Sequence, residues 1–128
     1  MANQRLASRY AKAMLGLATE QNVVDAVYAS VKELEENLSS SNDFKAFFRN
    51  PVIDKSKKIA VFNAIDNGRF HNVLSGFIHL LISRGRESFV YEILLEFEQQ
   101  VLKLKGIVLA LNEFIIGDQP IGIFIGVE

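Results

Sequence analysis

At 128 residues with 49% hydrophobic content the chain is long enough to close one core, and disorder is not expected. Fourteen Lys and Arg against fifteen Asp and Glu leave a formal net charge of -1, so no overall field favours nucleic acid or an anionic membrane surface. The lack of cysteine excludes disulfides, thiolate catalysis and cysteine metal sites, and the amino terminus lacks the pattern of a signal peptide. No apolar run approaches the roughly 20 residues that span a bilayer, so any membrane association is expected to come through a partner.

Residues 4–20 are predicted as a first helix, in which Leu6, Tyr10, Met14 and Leu17 share one face at spacings of four, four and three. Ala7, Ala11, Ala13, Gly16 and Ala18 lower the profile around them, so a second helix could approach closely; an Ala-rich core helix is the plainer reading. Asn22 is expected to cap a second helix, whose Val24, Val27, Val31, Leu34 and Leu38 form an apolar seam ending at Ser39-Ser40-Ser41-Asn42. A short third helix over 43–48 carries Phe44, Phe47 and Phe48 and stops before Asn50-Pro51, because a residue preceding proline disfavours the helical region. Asp54 is expected to cap a fourth helix with Ile59, Phe62 and Ile65, broken at Asn67-Gly68. The fifth, about 70–83, has an apolar arc wider than a surface helix needs, with Gly85 as a left-handed stop. A long sixth helix over about 87–105 carries Val90, Ile93, Leu94, Phe97, Val101 and Leu104 on one side and Glu92, Glu96 and Glu98 on the other. After Gly106, β-branched and aromatic residues on either side of Gly117-Asp118-Gln119-Pro120 predict a hairpin. The expected fold is thus an all-α six-helix bundle over 1–105 with a β-prone tail over 106–128.

Few residues offer chemistry. His71 and His79 are eight positions apart, about 12 Å along a helix, and cannot share a metal ion. Ser8, Ser30, Ser75 and Ser88 lie in helical pattern without a base and acid arranged around them. Gly117 to Gly122 lacks the Lys and Ser/Thr of a phosphate loop. Lys55, Lys57 and Lys58, and then Arg84 and Arg86, read as solvated charge at helix ends, with no aromatic ladder for base stacking. The carboxylates opposite the apolar seams of the second and sixth helices are expected to be solvated with near-normal acidity. No catalytic residue, metal site or cofactor is expected.

Arg9-Tyr10-Ala11-Lys12-Ala13, Asn50-Pro51-Val52-Ile53 and Gly85-Arg86, in that order and at those intervals, resemble the amino-terminal domain of the delta subunit of bacterial F-type ATP synthase, called OSCP in mitochondria. The resemblance covers about residues 4–110. It implies a six-helix bundle on top of the catalytic head, holding the amino-terminal helix of an alpha subunit in a groove between its first and fifth helices. Carried over by position, Tyr10, Ala13 and Leu17 match the groove side of the first helix, and Phe77 and Leu80 that of the fifth; a core position is the alternative for each. In that family a carboxy-terminal domain meets the b subunits of the peripheral stalk, and the protein lies at the cytoplasmic face of the bacterial inner membrane, touching it only through the complex. Family members continue for roughly another domain, whereas Leu111 to Glu128 match poorly, so stalk binding is in doubt: a truncated, frame-altered or divergent tail is expected. The competing function is a small helical RNA-binding module of the transcription antitermination type.

Overall fold

The computed structural model describes the backbone over residues 2–112 and side chains over 4–106. Six α-helices follow one another: α1 (Ala2–Glu20), α2 (Val24–Ser39), α3 (Asn42–Arg49), α4 (Lys55–Asp66), α5 (Asn72–Ser83) and α6 (Val90–Asn112), the last preceded by one 3-10 turn over Glu87–Phe89. No strand occurs among the described residues. The bundle is all-α, as the periodicity predicts.

The α2 seam is buried as expected, with Val24, Val27, Val31, Leu34 and Leu38 all at 1% exposure or less, and it faces α6. Helix α1 turns its small residues to the core, the plainer of the two readings its sequence offers. Its buried face is Ala7, Ala11, Met14 and Ala18, while Leu6 and Tyr10 are half-buried and Leu17 is exposed. The small residues are therefore themselves the core contact, letting the long α6 lie close against α1, and the larger apolar residues form a flank beside it. Gln100 donates from Nε2 to the Ser8 carbonyl at 3.1 Å, fixing the register of α1 and α6.

Helix ends follow local chemistry. Asn22 does not cap α2, whose N-cap is Val23 without a side-chain bond. It adopts φ 59° instead and closes α1, with Val23 N–H donating to Ala18 O at 2.9 Å and Asn22 N–H to Thr19 O at 3.1 Å. That bond pair is a Schellman closure, which asparagine tolerates in the left-handed region. Gly85, at φ 72°, closes α5 in the same way as the sequence predicts, through Arg86 N–H to Leu81 O and Gly85 N–H to Ile82 O. Ser41 caps α3 by accepting from Phe44 N–H at 3.1 Å, and α3 stops at Arg49 before the extended Asn50. The strand expected from Ile107 is helix as far as Asn112. Adding a residue to a formed helix gains a hydrogen bond, and a glycine that is not in the left-handed region costs only about 1 kcal/mol, so Gly106 does not stop α6. The rest of the expected hairpin, 113–128, lies outside the described residues.

Two ionisable groups depart from the solvated state expected of them. Lys58 is 1% exposed, its ammonium donating to Glu87 Oε2 at 2.6 Å and to the Phe48 carbonyl at 3.0 Å. Lys55 donates to the Ser83 carbonyl at 3.0 Å. The first turn of α4 thus supplies cations to the unsatisfied carbonyl ends of α3 and α5, where the helix dipole favours positive charge. Glu98, on α6, is buried against α2 rather than solvated, and its Oε2 has no partner. Burial, and then the neighbouring Glu35 carboxylate, push its pKa from 4.5 up to about 7, against the opposing pull of the Lys32 ammonium 3.7 Å away.

Removing Glu87 strands a buried ammonium. Glu87→Ala should therefore lose about 3–5 kcal/mol in urea denaturation, while Lys58→Met with Glu87→Leu should recover most of it; equal loss in the single and double variants would contradict the pairing. For Glu98 the folded pKa lies above the unfolded one, so the folded state binds the extra proton between about pH 4.5 and 7 and stability falls as pH rises through that window. Glu98→Gln removes this loss. Its melting temperature relative to the parent should rise from pH 5 to pH 8, and a pH-independent difference would refute the shift.

Candidate functional site

The flank that α1 leaves uncovered meets α5, and the orientation of α5 is set at its start. His71 is its N-cap, with Nδ1 accepting from Val73 N–H at 3.0 Å while its own N–H donates to Ser30 Oγ on α2 at 2.9 Å. Asp66 braces the same corner, accepting from Phe70 N–H through Oδ1 at 2.9 Å and from Ser75 Oγ through Oδ2 at 2.6 Å. Phe70 is buried with its ring stacked on Phe62, centroids 5.9 Å apart. Tertiary bonds therefore fix both the level and the roll of α5, and His71, Ser30 and Ser75 are structural. His79 is likewise a boundary residue, with Nε2 2.7 Å from Asn63 Oδ1 and its ring edge-on to Phe62.

With α5 fixed, its buried side is Val73, Leu74, Ile78, Leu81 and Ile82. Phe77 and Leu80 turn toward α1. Tyr10 meets Phe77 in an edge-to-face contact with centroids 6.0 Å apart, which joins the two helices at one level. Beyond it the helices leave an open groove of about 310 Å³, lined by Leu17 and Gln21 from α1 and by Asn72, Val73, Gly76, Phe77 and Leu80 from α5. Leu17 is 39% and Leu80 40% exposed, large apolar side chains facing solvent across the groove. A Cβ added at Gly76 would meet nothing within 4 Å, so this glycine holds the groove open rather than relieving a clash.

Of the five residues the sequence singles out, Leu17, Phe77 and Leu80 line the groove; Tyr10 packs on Phe77 at its end. Ala13 is exposed one turn before Leu17 and does not line it. Sequence reasoning missed Gln21, Asn72, Val73 and Gly76. Val73, Gly76 and Leu80 stand at spacings of three and four, so the helical repeat held the signal, but glycine and asparagine carry no apolar weight, and Val73 is a buried residue that also lines the groove. None of the seven lining residues is ionisable or nucleophilic. Such a surface can bury apolar side chains and offer amide hydrogen bonds at its ends; it cannot move protons or attack a substrate. No cluster of metal-ligating side chains occurs among the described residues, and no described helix is long and apolar enough to cross a membrane.

Fold and groove together define a small all-α bundle with an apolar helix–helix groove free of ionisable groups. The chain belongs to the ATP synthase delta (OSCP) subunit family, whose family model matches residues 6–111. ATP synthase subunit delta of Cytophaga hutchinsonii is 34% identical over 107 residues, which cover 84% of this chain and 59% of that protein. The subunit of Synechococcus elongatus is 29% identical over 101 residues, covering 79% of this chain and 56% of that protein. A chloroplastic subunit delta from Cyanidium caldarium is 28% identical over 107 residues, covering 84% and 58%. The chain thus spans a little over half the length of these relatives.

Because Gly76 lies in mid-helix with open space around it, Gly76→Ala should stabilise the fold by about 0.5–1 kcal/mol, the usual gain for alanine over glycine in a helix. Chemical denaturation measures this; a destabilised variant would mean that the groove is closed over Gly76.

Proposed function

We propose that the chain is the head-binding portion of a noncatalytic stator subunit of F-type ATP synthase, its α1–α5 groove receiving the amphipathic amino-terminal helix of an alpha subunit. The observation that carries this reading is the pair Leu17 and Leu80, exposed across an apolar groove that no ionisable residue lines. Apolar residues of an incoming helix at spacings of three and four fit such a surface, and Gly76 permits a close approach. Family membership and the relatives' shared name, ATP synthase subunit delta, support assembly into that complex. The bundle then holds the catalytic head against rotation with the rotor, at the cytoplasmic face of the bacterial inner membrane and without touching the bilayer itself. Contact with the b subunits of the peripheral stalk belongs to a carboxy-terminal domain of the family. Nucleic-acid binding loses its best feature, since Lys58 is buried on Glu87 and Lys55 is engaged at the end of α5.

Leu80→Asp tests the reading. A carboxylate desolvated against an apolar helix costs several kcal/mol, and each 1.4 kcal/mol is about tenfold, so affinity for a synthetic alpha-subunit amino-terminal peptide should fall at least about a hundredfold in titration calorimetry. Ala13→Trp, at the exposed position beside the groove, should weaken binding less, and Lys57→Glu not at all. Parent-like binding by Leu80→Asp would reject the groove; loss of binding in Lys57→Glu would favour the electrostatic alternative.

A further inference from the structure

A second apolar face lies on α6, away from the groove. Leu95 is 38% and Leu102 51% exposed, and their spacing of seven puts them on one stripe of the helix, about 10.5 Å apart along its axis, with Gln99 between them. The stripe borders an open hollow of about 580 Å³ lined by Ser8 of α1 and by Glu96, Gln99, Gln100, Leu102 and Lys103 of α6. Ser8 falls on the flank of α1 opposite Tyr10 and Leu17, so this hollow and the α1–α5 groove lie on different sides of α1. The charges of α6 indicate what covers the stripe. Glu92, Glu98 and Lys105 are paired with Arg49, Lys32 and Asp25, whereas Glu96 and Lys103 make no ion pair among the described residues. These two are of opposite sign, and they stand three residues before and four after Gln99. A two-fold axis at Gln99 therefore sets Glu96 against Lys103 of a second copy, Lys103 against its Glu96, and each Leu95 against a Leu102. Parallel pairing would set like charges together.

We propose that α6 pairs antiparallel with α6 of a second copy about Gln99, Leu95 of each entering the hollow beside Leu102 of the other. Burial of the four leucines supplies the attraction. The two crossed ion pairs set direction more than strength, because exposed pairs are individually weak while like charges in the wrong register are repelled. A contact made by one helix face is smaller than the roughly 1,200 Å² at which stable interfaces begin, so the dimer is weak and depends on concentration. The pairing uses the side of α1 away from the groove and does not rest on the functional reading.

Sedimentation velocity of the full chain tests this over a concentration series reaching about 1 mM, at low salt where surface charge is least screened. The parent should shift toward a dimer as concentration rises, and Leu102→Asp should remain a monomer. Lys103→Glu turns two attractions into two repulsions and should weaken the dimer about tenfold, while Glu96→Lys combined with Lys103→Glu should restore it to within about threefold of the parent. Unchanged melting temperatures show that the variants keep the fold. A parent that stays monomeric throughout, or a double variant as weak as the single one, would overturn the proposal. So would association that Leu80→Asp abolishes and Lys103→Glu leaves untouched, since the contact would then lie at the groove. The chain has no cysteine, so one introduced by substitution reports alone. Gln99→Cys, at the two-fold axis, should form a disulfide between copies under mild oxidation at least about tenfold faster than Val52→Cys, whose position is 85% exposed on the loop after α3. Equal rates for the two would contradict the pairing.

Discussion

The structure depends on how closely α6 can approach α1. Ala7, Ala11 and Ala18, with Met14 between them, are fully buried, and alanine at three of these four positions removes the side-chain bulk that would otherwise hold the axes apart. That approach forces the larger side chains of α1 to one side. Tyr10 and Leu17 are displaced from the core onto the flank facing α5, so the same alanines that build the interior also create the groove. A helix with leucine at those positions would stand further from α6 and would roll.

The second constraint is the placement of α5, which rests on hydrogen bonds rather than on apolar contact alone. Ser30 holds the backbone of His71, His71 caps the helix, and Asp66 ties the preceding corner to Ser75. A buried polar group is costly when unpaired, so this set tolerates little slippage, and the width of the groove inherits its definition. The lysines of α4 act similarly from the opposite side, closing the carbonyl ends of α3 and α5.

Much of this was legible in the sequence because helical periodicity is a strong local signal. The α2 seam, the Asn50-Pro51 stop and the Gly85 closure each follow from a short-range rule that the tertiary structure obeys. What failed were inferences that need a neighbour. Asn22 serves either as a cap or as a left-handed closure, and only the chain direction on both sides decides. Lys58 looked solvated because its acidic partner lies 29 residues away in a 3-10 turn, and Glu98 looked exposed because the opposite face of α6 is covered by α2. Within the groove, three of the five proposed residues were placed by apolar spacing and family position. Gly76 and Asn72 were missed because they contribute shape rather than hydrophobicity.

The central claim is that the α1–α5 groove buries a partner helix. Amide hydrogen exchange tests it most directly, comparing the full chain with and without saturating alpha-subunit amino-terminal peptide. The account predicts added protection concentrated in 17–21 and 72–80, with the α3 and α4 segments unchanged, because docking there suppresses local opening of the two groove helices. Protection centred instead on 55–58 and 84–86, or none at the groove when the peptide is bound, would contradict it.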